Sequence, residues 1–247
     1  MLTKIDNIYL LGTSHVSKES SEEIKKSIDS LKPEVVGIEL DYQRLKGLLS
    51  KLKQKPKLRT LLKEFGAFGT MFALLAGSMQ KRVAQHLGVE AGIDMKQAYL
   101  YSREHKIPTA LIDQHVKVTM RKFSSMKFTK KVSTAWNLFI KSFKKEYRKK
   151  MNFDVKKGVP SNEKLLEILS IVKKEAPEFY DILIEQRNIY MTKKLLKLKE
   201  HHSGPILAVV GAGHIEGMKQ YLEKNIKKEE GEETTSKETF SFTVQVD

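Results

Sequence analysis

The chain has no cysteine, a single tryptophan, six prolines in 247 residues, and no long apolar run. Without thiols there is no disulfide framework, and no thiolate to hold a metal or carry redox chemistry. That composition suits a reducing compartment, so a cytoplasmic protein is the expectation. The nearest approach to a membrane span is Phe65–Gln80, 16 uncharged residues that include Gly66, Gly69 and Gly77. A bilayer crossing needs about 18–20 apolar residues, so this stretch reads as a buried helical hairpin, a lid or an interfacial segment. The amino terminus has one short apolar run that meets Gly12, His15 and then charge, without the longer apolar core of a signal peptide. A hydrophobic fraction of 40% is enough for a real core, and the length suits one sizeable domain.

Charge is abundant but uneven. Lys and Arg number 45 against 30 Asp and Glu, a net +15. The segment Lys117–Lys157 holds fourteen Lys/Arg and only two acids, Glu146 and Asp154, so +12 of the excess lies there. Within it Val132, Trp136, Phe139/Ile140, Phe143 and Tyr147 recur at helical spacing among lysines, the pattern of a basic amphipathic helix. Three roles compete for this helix. It caps the sheet with its stripe buried, it lies on an anionic membrane surface through residues 130–147, or it binds nucleic acid. The last has least support, since no recognised nucleic-acid-binding fold accompanies the charge.

Apolar runs at Ile8–Gly12, Val35–Leu40, Thr109–Ile112 and Ile206–Val210 read as strands alternating with helical patterns. Helices are expected over Ser17–Lys32, Asp41–Gln54, Met95–His105, Ser161–Lys174, Pro177–Lys199 and Ile215–Lys224. This alternation specifies an α/β fold: a single domain with a largely parallel central sheet flanked by helices, and a helical insertion in the middle. The domain is placed at residues 1–226, with the basic insertion at 117–157. A charged linker follows at 227–238. Over 239–247, Phe240, Phe242, Val244 and Val246 alternate with polar residues, which predicts a C-terminal edge strand.

Each of the four strands ends in a polar or ionisable residue: His15, Glu39, Asp113 (with His115 two positions on) and His214. In open α/β sheets the carboxyl ends of the strands line the ligand crevice. Two histidines and two carboxylates there can hold a metal ion, or act as base and orienting acid. Gly12 and Gly213 permit a sharp turn and close ligand approach. The segment Gly211-Ala-Gly-His-Ile-Glu-Gly217 fails as a dinucleotide fingerprint at Glu216, where a third glycine belongs. Arg187 falls inside the apolar stripe Leu183/Ile184, Tyr190/Met191, Leu195, Leu198, and a guanidinium on a core-facing stripe requires an anionic partner. The candidates are Glu39, Asp113, Glu185 or a substrate anion. Arg44, one turn beyond Glu39, is a second candidate of the same kind. His201 and His202 are expected in solvent, and His86 and His105 have no evident role.

These residues carry a family resemblance. Leu11-Gly-Thr-Ser-His-Val-Ser17, Val35-Val-Gly-Ile-Glu-Leu40 and Val210-Gly-Ala-Gly-His-Ile-Glu-Gly217 resemble motifs of the TraB/PrgY pheromone-shutdown family, related to the Tiki proteases and the GumN group. Leu87-Gly-Val-Glu-Ala-Gly-Ile-Asp-Met95, Leu111-Ile-Asp113 with Val118-Thr-x-x-Arg121, and Glu185-Gln-Arg-Asn-Ile-Tyr-Met191 agree in order. The resemblance implies a metal-dependent hydrolase, a peptidase acting on peptides, with His15 and His214 as its paired histidines. On that basis His15, Glu39 and His214 would hold a divalent ion, with Mn, Co, Zn and Fe all suited to these donors. Glu90 or Asp113 would act as general base, Arg187 would stabilise the oxyanion, and Arg44, Gly12 and Gly213 would meet the substrate. Two alternatives use the same residues: an esterase-like hydrolysis without metal, and a peptide- or membrane-associated regulator that turns nothing over. Asp94 departs from the Glu usual in the family, and Gln186 from the acid that often precedes the arginine. Many relatives carry C-terminal membrane helices, and the charged stretch after Glu223 is not expected to supply them.

Overall fold

A computed structural model describes residues 2–13, 18–50, 58–63, 66, 70, 92–127 and 162–227. Its centre is a five-stranded sheet: β1 (Leu2–Ile5), β2 (Ile8–Thr13), β3 (Val35–Ile38), β4 (Thr109–Leu111) and β5 (Ile206–Gly211), in the order β1-β2-β5-β3-β4. All neighbours run parallel except β1, which folds back antiparallel on β2. The four strands read from the sequence are β2 to β5. The edge strand β1 is the addition. It is short and half exposed, and it joins β2 through Asp6-Asn7, where Asp6 adopts a left-handed φ of 53°.

The strands are apolar on both faces because both faces are covered. Ile206, Ala208 and Val210 of β5 pack with Ile8, Leu10, Val35 and Ile112 in one cluster, against Met191, Leu195, Met218 and Leu222. Leu207 and Val209 alternate to the other face, with Leu11, Val36 and Ile38, against Ile24, Ile28, Met95 and Ala98. The first face is covered by α7 (Gln186–Lys199) and by α8, the helix over 215–227. The second is covered by α1 (Lys18–Leu31) and α3 (Ile93–Glu104). Gly37 lies mid-strand in β3, where a Cβ would stand 3.3 Å from both Ile112 and Leu195, so its bareness lets α7 approach the sheet.

Three further helices frame the carboxyl edge. These are α2 (Tyr42–Leu49), capped by Asp41, α4 (Val116–Ser125), capped by the His115 ring, and α5 (Asn162–Glu175). The helix expected over Pro177–Lys199 is present but not uniform. A short α6 (Pro177–Tyr180) passes through a π-helical turn, Asp181–Glu185, before α7 begins. Such wide turns are uncommon and cluster at functional sites; this one ends two residues before Arg187. The start of the basic segment, Val116–Ser125, is helical with Thr119, Met120 and Phe123 buried. The amphipathic pattern at 130–147, the linker at 227–238 (beyond Lys227) and the alternating strand at 239–247 lie outside the described residues. Among the described residues no helix is long and apolar enough to cross a membrane.

Candidate functional site

Sheet register creates the site. Ile38 of β3 pairs with Val209 of β5, and Glu39 N–H donates to Val209 O at 3.0 Å, so the ends of these strands lie side by side. Ile112 N–H donates to Ile38 O on the other side, bringing the end of β4 alongside. Glu39, Asp113 and His214 therefore arrive at one edge from three strands. All three are buried.

The carboxylates are bound into an ion-pair network. Glu39 accepts from Arg187 Nη2 on one oxygen and from Gly211 N–H at 2.6 Å on the other. Asp113 accepts from Arg187 Nε at 3.0 Å and Nη2 at 2.8 Å, from Arg44 Nη1 at 2.8 Å, and from Gln114 N–H at 2.8 Å. Arg187 also donates Nη1 to Leu183 O at 3.2 Å, a carbonyl of the π turn. Burial alone would weaken the arginine's hold on its proton. The charges of Glu39 and Asp113, with their hydrogen bonds, outweigh that effect and raise its pKa above the ordinary arginine value.

His214 approaches Glu39 at Oε1, the same oxygen that accepts from Arg187. Its Nε2 lies 3.4 Å from Glu39 Oε1, and its Nδ1 meets Asn188 Oδ1 at 2.6 Å. With Nδ1–H donated to Asn188, the ring presents Nε2 to the carboxylate, the orientation a hydrogen-bonded histidine takes toward a cation. Asn188 is fully buried and reaches back toward Glu185 at 3.5 Å; Glu185 is in turn hydrogen-bonded to Tyr221. Asn188 has room because residue 217 is glycine: a Cβ there would run into Asn188 Nδ2.

A cavity of about 290 Å³ opens over this cluster, lined by Glu39, Arg44, Asp113, His214 and Arg187 with Gln114, Val116, Thr119 and Leu183. Five of the residues singled out in the sequence thus meet in one pocket. His15 and Glu90 lie outside the described residues. The missing Cβ atoms of Gly12 and Gly213 make room for the chain's own packing: a Cβ would stand 2.9 Å from Ile215 Cγ1 and 2.8 Å from Leu169 Cδ1 respectively. Asp94 is buried in the first turn of α3 and is not among the residues that line the cavity. Sequence reasoning passed over Asn188, whose one available signal was its place beside Arg187 on the same helix. Among the described residues no three Cys, His, Asp or Glu side chains form a metal-binding group.

The model of the TraB/PrgY/gumN family matches residues 2–230. An uncharacterized protein of Methanocaldococcus jannaschii is 33% identical over 220 residues, which is 88% of this chain and 54% of that protein. TraB domain-containing proteins of mouse and human are each 23% identical over 245 residues, 88% of this chain and 62% of theirs. The chain thus spans between half and two thirds of the length of these relatives. With a family match over nearly its whole length, and the motif residues Glu39, Asp113, Arg187 and His214 gathered around one pocket, the chain belongs to the TraB/PrgY/gumN family.

Proposed function

We propose that the chain is a metal-dependent hydrolase acting on peptides, with its site at the carboxyl edge of the sheet. One observation carries this reading: the Nε2 of His214, its ring fixed through Nδ1, faces Glu39 Oε1 at 3.4 Å. Two donor atoms each about 2.0–2.2 Å from an ion of near-tetrahedral geometry lie roughly 3.3–3.6 Å apart, so this spacing fits a shared ion. Glu39 has the capacity, since a carboxylate offers about four lone-pair sites and Arg187 and Gly211 are two of its partners. His15, after β2, is the proposed third ligand. Imidazole and carboxylate donors without thiolate suit Zn, Mn, Co or Fe.

When bound, such an ion would polarise a scissile carbonyl and lower the pKa of water. The protein's own residues supply the rest. Asn188 holds the His214 ring, and Gly217 leaves Asn188 its place. Asp113 accepts from Gln114 and from both arginines, so its task is to orient the two guanidiniums. Arg187 locks Glu39 in position and has most of its donors committed, which leaves Arg44 as the guanidinium better placed to meet a ligand. The general base is assigned to Glu90.

Incubating metal-loaded chain with a mixture of unstructured peptides and reading the products by mass spectrometry tests the proposal. Cleavage that stops on chelation and in His214→Ala is expected; cleavage that survives both defeats it. A second reading, a regulator that binds a peptide without turnover, draws on the charge balance of the cluster: Arg44 and Arg187 already neutralise Glu39 and Asp113. Peptide binding without any product would favour that reading.

A further inference from the structure

We propose that the pocket takes an oxyanionic group of its ligand, the free carboxylate at the end of a peptide, on the outward donors of Arg44. The peptide ligand rests on the hydrolase reading above; the anionic group rests on the pocket itself. The four charged side chains that line it, Glu39, Asp113, Arg44 and Arg187, sum to zero formal charge, yet they are not equally accessible. The side chains of Glu39 and Asp113 are each 3% exposed, whereas Arg187 is 16% and Arg44 38% exposed. The anions lie underneath and the guanidiniums on top, so an entering molecule meets N–H donors.

Arg44 is the freer of the two. It donates to Asp113 through Nη1 alone, and its Nε and Nη2 have no partner among the described residues. A guanidinium edge is a planar fork matched to a carboxylate, and the attraction is stronger in a partly desolvated cleft. The neighbouring polar groups do not compete, because Gln114 Nε2 already donates to Thr119 Oγ1 at 2.9 Å. Val116 and Leu183 give the lining its apolar wall, suited to the side chain that adjoins a terminal carboxylate. At about 290 Å³ the cavity is at the small end for ligand pockets, the size for a chain end.

The test is calorimetric titration of the full chain, without added metal, using N-acetyl-leucine, N-acetyl-leucinamide and inorganic phosphate. The acid should bind at least about tenfold more tightly than the amide, and Arg44→Gln should remove that preference. Phosphate that competes with the acid but binds more weakly also supports the proposal; phosphate binding more tightly than the acid overturns the terminal carboxylate in favour of a phosphorylated ligand. Equal binding of acid and amide, no binding of any of the three, or a preference that persists in Arg44→Gln overturns the proposal. Non-specific attraction by a basic chain is controlled for, because Arg44→Gln changes the net charge only from +15 to +14. Asp113 keeps its bonds from Arg187 in that variant, and Arg44→Lys provides a second check. The lysine retains the charge but not the fork, so the preference should shrink without vanishing; a full preference there overturns the bidentate geometry. No ion or turnover is needed, so a failure here leaves the hydrolase reading standing, and a failure of that reading leaves this one testable.

Discussion

The same two strands carry a histidine–glutamate pair at each end. At the amino edge, Glu34 before β3 lies 3.3 Å from His202 before β5; at the carboxyl edge, Glu39 after β3 lies 3.4 Å from His214 after β5. By residue type and distance the pairs are nearly equivalent, but their surroundings differ. His202 and Glu34 are 27% and 44% exposed, and water competes for both; His214 and Glu39 are 5% and 3% exposed. The carboxyl-edge pair is also tied to Arg187, Gly211 and Asn188. A short distance does not make a site. Burial, and partners that fix each atom, turn a pair into a device whose parts depend on one another.

Cutting the buried network should produce the largest effect. Arg187→Ala takes the same guanidinium away from both buried carboxylates, Glu39 and Asp113, and loss of a buried partner costs about 3–5 kcal/mol. Urea denaturation beside the wild type measures it. The pH dependence follows from the raised pKa of Arg187. A cation whose folded pKa lies above its unfolded value contributes stability at every pH below the unfolded value, and loses it only as pH rises through the folded one. The arginine's contribution should therefore stay flat from neutral pH to about pH 10. A steady decline in the stability difference between wild type and Arg187→Ala over that range would mean that another group titrating there, not the arginine, sets the contribution.

An intermediate effect is expected on the histidine side. Gly217→Ala forces a methyl into Asn188, an overpacking cost of about 1–3 kcal/mol. Combining it with Asn188→Ala should be less damaging than the sum of the two, because the second change removes the group the first one strikes. Strict additivity in that double-mutant cycle would show that Gly217 is needed for another reason. The smallest effect belongs to the amino edge. Glu34→Gln should alter stability by no more than about 1 kcal/mol, and by less in high salt.

Much of this contrast was legible beforehand. The alternation of strands and helices gave the parallel sheet, and the rule that ligands bind at the carboxyl edge separated His214 from His202. Arg187 on an apolar stripe demanded a buried anion, and Glu39 and Asp113 provide it. What stayed hidden depends on register and on space. No local pattern says that β5 lies between β2 and β3, although that order sets Glu39 beside Gly211. The π turn at Asp181–Glu185 contains neither proline nor glycine, and helical periodicity passes through it unmarked. Asn188 looks like one more polar residue until the bare Cα of Gly217 is placed against it. The tight packing of Gly12 on Ile215 and of Gly213 on Leu169 is likewise a matter of space that no local pattern announces.

The most direct test compares the two edges by metal content. The chain, His214→Ala and His202→Ala would each be dialysed against Mn, Co, Zn and Fe, then analysed for bound metal by mass spectrometry alongside a check of fold by circular dichroism. One ion per chain in the wild type and in His202→Ala, with none in folded His214→Ala, is the expected result. Equal metal content in the two variants, or a folded wild type that retains no ion at all, would contradict a metal site at the carboxyl edge.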